Sequence, residues 1–197
     1  MIDFSKLVPL YLEPHRHYHN LQHIHTMIRM IPDIRQHFKL IDSDKLIRAI
    51  WYHDAYYDPL ATYGLNEEMS AYLYVTHCEP DYSGGPEVTD MIAATEYHCI
   101  TQDTDCETTK VFLDLDMHFI GLGPITYNRN VLKIEREYLD YGVTFDKYRD
   151  GRIQFLNLLM ERYKSSGSIF YTDYFKDKYC KQAKLNIMTE LNSLRGP

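Results

Sequence analysis

The chain has 197 residues, 45% of them hydrophobic and 25% charged, which excludes a disordered or fibrous chain and leaves room for a buried core. The formal net charge of −7 argues against a nucleic acid polymer as partner, because the summed field repels polyanions. Cys78, Cys99, Cys106 and Cys180 are irregularly spaced with no Cys-x-x-Cys, the pattern of reduced thiols rather than of a stapled secreted scaffold.

The first twelve residues hold a lysine and several polar interruptions, too broken for a secretion signal, and no apolar run approaches the roughly 20 residues of a membrane span. A cytoplasmic protein without membrane partners is therefore expected. Apolar residues recur at spacings of three and four almost throughout, which predicts helices. After a short helix near 4–12, they fall near 20–38, 44–57, 66–78, 87–99, 107–120, 125–141, 145–164 and 171–193. Ser43 and Asn66 are placed as N-caps, Pro86 follows a Gly84-Gly85 turn at a helix start, and Gly121 ends a helix. The loops at 58–65, 79–86 and 100–106 are short, and no repeat or compositional shift divides the chain. The expectation is one all-α domain over residues 1–197, a helical bundle whose carboxy-terminal helices, about 145–193, pack on the rest.

Polar residues interrupt the apolar faces at three places. On the helix 44–57, Asp54 shares a face with Ile47, Ile50 and Trp51, and His53 lies beside it above Leu46, Ala49 and Ile50. An ionised carboxylate removed from water costs several kcal/mol unless it is paired or bound to a metal, so Asp54 requires compensation. On 107–120, Asp116 falls in a stripe with Phe112, Leu113, Phe119 and Ile120, while His19 and His23, four apart, share a face of the first long helix and His25 points elsewhere. Each residue alone has an ordinary account as a surface or hydrogen-bonded core group. Together, imidazoles and two carboxylates form a donor set suited to a divalent cation with open positions for water.

The ordered set resembles the HD superfamily of metal-dependent phosphohydrolases. The resemblance is carried by Tyr18-His19-Asn20-Leu21-Gln22-His23-Ile24, by Tyr52-His53-Asp54-Ala55-Tyr56-Tyr57-Asp58-Pro59, and by Asn66-Glu67-Glu68-Met69-Ser70-Ala71. It extends through Phe112-Leu113-Asp114-Leu115-Asp116, Ile134-Glu135-Arg136-Glu137-Tyr138 and Ala183-Lys184-Leu185-Asn186, covering most of the chain, and looks like a small bacterial subgroup. What the resemblance implies is an HD-type bundle holding a divalent ion on His23, His53, Asp54 and Asp116, with Asp114 as the fallback for the last and His19 on the substrate side. Cys180 and Lys184 stand where the subgroup tends to carry an acidic residue and an arginine.

The implied activity is hydrolysis of a small-molecule phosphate ester, a nucleotide being one form, by metal-activated water. Glu67 and His98 are the proposed proton-transfer groups, with helix-end chemistry as the ordinary account of each. Arg16, His19 and Arg136 are placed on the substrate, arginine forks suiting phosphate oxygens; Arg136, between two glutamates, has simple pairing as its ordinary account. Tyr18, Trp51, Tyr56 and Tyr57 are available for stacking on a base, or for the core. The donor set does not separate Mn, Fe, Co, Ni, Zn or Mg, and no oligomeric state is readable. The alternatives are a di-iron HD-type oxygenase, for which His77 and His98 supply further histidines, and a non-catalytic metal-stabilised binding module.

Overall fold

A computed structural model of the chain describes residues 2–78, 82–96, 98 and 106–196; among these, every regular element is a helix and there is no strand. The all-α expectation holds. The chain divides into two compact units, residues 1–115 and 116–197.

In the first unit, α1 (Phe4–Leu7) runs into a 3-10 turn (Val8–Leu12). The helix α2 (Leu21–His37) starts where the Asn20 side chain accepts a hydrogen bond from the Gln22 N–H at 2.9 Å, and it buries Ile24, Met27, Ile31 and Ile34 at three- and four-residue spacing. The cap of α3 (Ser43–Tyr52) is Asp42 rather than the expected Ser43. Its carboxylate accepts from the N–H groups of Asp44 and Lys45, both at 3.1 Å, adding a negative charge at the positive end of the helix dipole. Similarly, α4 (Leu65–His77) starts from Gly64 at φ +81°, a left-handed conformation that favours glycine, and Asn66 lies inside the helix instead of capping it. Helix α5 (Gly85–Ala93) begins as expected after Gly84 but stops at Ala93, short of the expected 99. Its chain then turns, with the Glu96 N–H donating to Ala93 O at 3.2 Å. Helix α6 (Glu107–Met117) completes the unit. Helix α3 packs on α2, α4 and α5. Residues 79–81 and 100–105 of two expected loops, and Cys99, lie outside the described residues; Cys78, Cys106 and Cys180 are not in disulfides.

One correction bears on function. The expected helix 44–57 ends at Tyr52, His53 being its last residue of helical conformation, and Asp54 sits in a turn that the Ala55 N–H closes on Tyr52 O at 3.0 Å. The reason is tertiary. The guanidinium of Arg16 takes the carbonyls of Asp54 and Ala55, which a continuing helix would need, while Pro59 disfavours helical conformation at Asp58.

In the second unit a 3-10 turn (His118–Gly121) precedes α7 (Pro124–Asp140) and α8 (Phe145–Ser166), and Gly167 ends α8 at φ +76°. The single helix expected over 171–193 is instead a short α9 (Asp173–Phe175), a π turn (Lys176–Cys180) and α10 (Lys181–Arg195). A π turn adds one residue per turn without any Gly or Pro to announce it, so periodicity alone misses it. The backbone of Tyr179 in this turn approaches Gly121 so closely that an added Cβ would stand 2.7 Å from the Tyr179 carbonyl oxygen. Helix α8 packs on α7 and α10, and the amide of Asn186 donates to the carbonyls of Ile120 and Leu122, both at 2.8 Å.

Candidate metal centre

His23 lies in the first turn of α2, its register set by the Asn20 cap, and is 5% exposed; His53, ending α3, is 3% exposed. The ring of His53 is oriented from both sides. Its Nδ1–H donates to the Ile50 carbonyl at 2.9 Å, and Phe112 meets it edge-on with centroids 5.6 Å apart. That tautomer leaves Nε2 with a lone pair, the arrangement that metal-ligating histidines adopt. Nε2 of His53 faces Nε2 of His23 at 3.3 Å, and Asp54 Oδ2 lies 3.1 Å from the first and 3.6 Å from the second. This carboxylate oxygen is buried and has no directed hydrogen bond.

Asp116 groups with the two histidines. One ligand atom from each of His23, His53 and Asp116 lies within 4.8 Å of the others. Helix α6 is unbroken from Leu115 in the first unit to Asp116, so the residue is carried by the same rod as Phe112. Asp114 is buried too, but two residues of helix turn it to the other side, and it is not in the group.

Two imidazoles and an ionised carboxylate crowded in this way call for a proton or a cation shared between them. Burial pushes the Asp54 carboxyl up, but the imidazoles of His53, His19 and His23 outweigh it and hold the carboxyl below the usual carboxylate range. The buried, undirected Oδ2, together with the Nε2 pair, fits a divalent cation held by nitrogen and oxygen donors.

The other expected site residues are distributed unevenly. His19 precedes α2 rather than lying on it, but its ring still stands 6.2 Å from that of His23 and packs on Tyr57 at 4.3 Å. Glu67, in the first turn of α4, has its carboxyl pushed up, first by burial and further by the charges of Asp54 and Glu96, with His98 opposing. His98 adopts φ +45° at the rim of the described chain. The guanidinium of Arg16 is taken up by the protein itself, donating to Glu13, His19 O, Asp54 O and Ala55 O. Arg136 stands exposed on α7, 3.5 Å from Asp140. Trp51 packs against Phe4 and Tyr11, and Tyr18 is buried beside His23. His77 lies against Tyr52 and feels the charges of Lys6 and Asp3.

Two residues to which the sequence reading gave no part in the site, Ser70 and the expected cap Asn66, hold the turn that carries Asp54. Ser70 Oγ accepts from the Tyr56 N–H at 3.1 Å and donates to Tyr56 O at 3.2 Å, while the Asn66 amide accepts from Asp58 N–H at 2.9 Å and donates to Asp58 O at 3.2 Å. The available signal was their four-residue spacing, which puts both on one face of α4.

No family model matches the chain, and no solved structure matches it significantly. Among curated proteins it is similar to a phosphopentomutase of Helicobacter acinonychis (strain Sheeba), at 30% identity over 91 residues. That match covers 44% of this chain and 22% of the relative's length. In the described residues no helix is long and apolar enough to cross a membrane.

Proposed function

We propose that this chain is a metal-dependent phosphohydrolase of the HD type, cleaving a small phosphate ester with water. The observation that carries the reading is the approach of His23 Nε2 and His53 Nε2 to each other and to the buried Asp54 Oδ2, with Asp116 grouped with the same two histidines. These four residues would hold the ion. A divalent ion in such a site lowers the pKa of a bound water towards neutrality and compensates charge on a phosphoryl oxygen.

The chain's own groups supply the rest. His19, partly exposed beside His23, is placed to donate to a phosphoryl oxygen. Glu67, whose carboxyl holds its proton more tightly through burial and the charges of Asp54 and Glu96, delivers that proton to the departing ester oxygen as the phosphorus–oxygen bond to it breaks. The limited likeness to a phosphopentomutase, a name that speaks of a phosphorylated pentose, is the reason to try sugar phosphates first.

Purified protein supplied in turn with Mn, Co, Ni and Mg should release phosphate from sugar phosphates, nucleotides or generic phosphate esters. Asp54→Ala should abolish this while the far-ultraviolet circular dichroism stays helical. Undiminished turnover in that folded variant overturns the reading.

A further inference from the structure

Arg16 forms a buried junction between the two segments that carry the centre. Its side chain is 1% exposed. Nε donates to Glu13 Oε2 at 2.8 Å, Nη1 to Asp54 O at 2.5 Å and His19 O at 3.3 Å, and Nη2 to Ala55 O at 3.1 Å. The rings of Tyr11 and Tyr57 lie 5.2 Å and 5.5 Å from its central carbon. The residue's own carbonyl accepts from Asn20 Nδ2 at 3.0 Å, and the same Asn20 caps the helix that carries His23. One side chain therefore ties the histidine segment to the backbone of Asp54.

Ser70 and Asn66 hold the same turn at Tyr56 and Asp58, from the α4 side. The carbonyls of Asp54 and Ala55 are reached from Arg16, and the direction of the Asp54 carboxylate follows from that backbone. Three carbonyls and a carboxylate taken by separate nitrogens call for the fixed fork of a guanidinium; a lysine ammonium carries the charge without the fork.

We propose that Arg16 is a positioning residue for the cation: it aims Asp54 at His23 and His53, so affinity for the metal depends on it and affinity for phosphate does not. This rests on the metal reading above. The test titrates cobalt(II) into the full-length chain as wild type, Arg16→Lys and Glu13→Gln, following the visible band of the bound ion. The dissociation constant of inorganic phosphate is then measured at saturating cobalt. Arg16→Lys should weaken cobalt binding by roughly 10- to 100-fold, the usual effect of losing a group that orients metal ligands, and leave phosphate affinity unchanged. Glu13→Gln, at a partly exposed position, should weaken cobalt binding by a smaller factor.

Unchanged cobalt affinity in Arg16→Lys overturns the proposal, and so does a loss confined to phosphate, which would mark direct contact with the ligand. Should Arg16→Lys fail to fold, Glu13→Gln decides, and unchanged cobalt affinity there overturns it. A wild-type chain that takes up no cobalt removes the metal reading as well, an outcome distinct from variants that bind as the wild type does.

Discussion

Nε2 of His23 and Nε2 of His53 stand 3.3 Å apart across 30 positions of sequence, one opening α2 and the other closing α3. On the metal reading, a cation held by these groups would stabilise the folded chain. Binding to the folded state alone contributes about 2.7 kcal/mol at a hundredfold excess over Kd, a rise in Tm of about 5–10 °C for a chain of this size. Manganese or cobalt should produce that rise in a thermal melt and a chelator should reverse it. In His53→Ala the metal-dependent increment should vanish.

Glu67 should set one limb of the pH profile. Burial and the charges of Asp54 and Glu96 raise the pKa of its carboxyl, while a hydrogen bond from its own backbone and the charge of His98 lower it. A carboxyl with a raised folded-state pKa binds its proton more tightly folded than unfolded. Its favourable contribution is complete below the unfolded pKa and is lost as pH rises through the folded one. Glu67→Gln should therefore gain thermal stability relative to wild type at neutral pH and show no gain in acid. Its turnover should fall by roughly 10²- to 10⁴-fold, with the corresponding limb of the profile removed.

Ser70→Ala should loosen the turn that carries Asp54. Ser70 is fully buried, and its loss leaves the Tyr56 N–H and C=O without that partner, a cost of about 1–3 kcal/mol. Urea unfolding should register this, together with weaker metal binding, whereas Thr76→Ala on the exposed side of α4 should change neither.

The second unit has its own buried ion pair. Arg152 donates from Nε to Glu190 Oε1 at 2.8 Å and from Nη2 to Oε2 at 3.2 Å, and the Tyr127 hydroxyl donates to the same carboxylate. Glu190→Gln or Arg152→Met strands the opposite charge and should cost about 3–5 kcal/mol by urea unfolding. Replacing both by apolar residues of similar volume should cost less than either single change.

The helical architecture was legible because burial on one side of a helix leaves a three- and four-residue repeat, as Ile24, Met27, Ile31 and Ile34 do on α2. Caps were less so. Asp42 lies one residue ahead of the expected Ser43, since neighbouring polar side chains can satisfy the same N–H groups, and Gly64 lies two ahead of Asn66, where a left-handed φ opens the helix with no side-chain cap. Asp54 was expected on a helix face and lies in a turn, because the deciding contact comes from Arg16, 38 positions away.

Local patterning by itself determined that this chain is helical and that His23, His53, Asp54 and Asp116 are costly to bury alone, since both follow from short-range periodicity and from the hydration of charged groups. Only the tertiary structure decided that Asp54 leaves the helix for a turn, and that Arg16 serves the protein's own backbone. Those outcomes depend on where separate helices end and how they pack, and spacing along one strand of sequence does not encode distances across it.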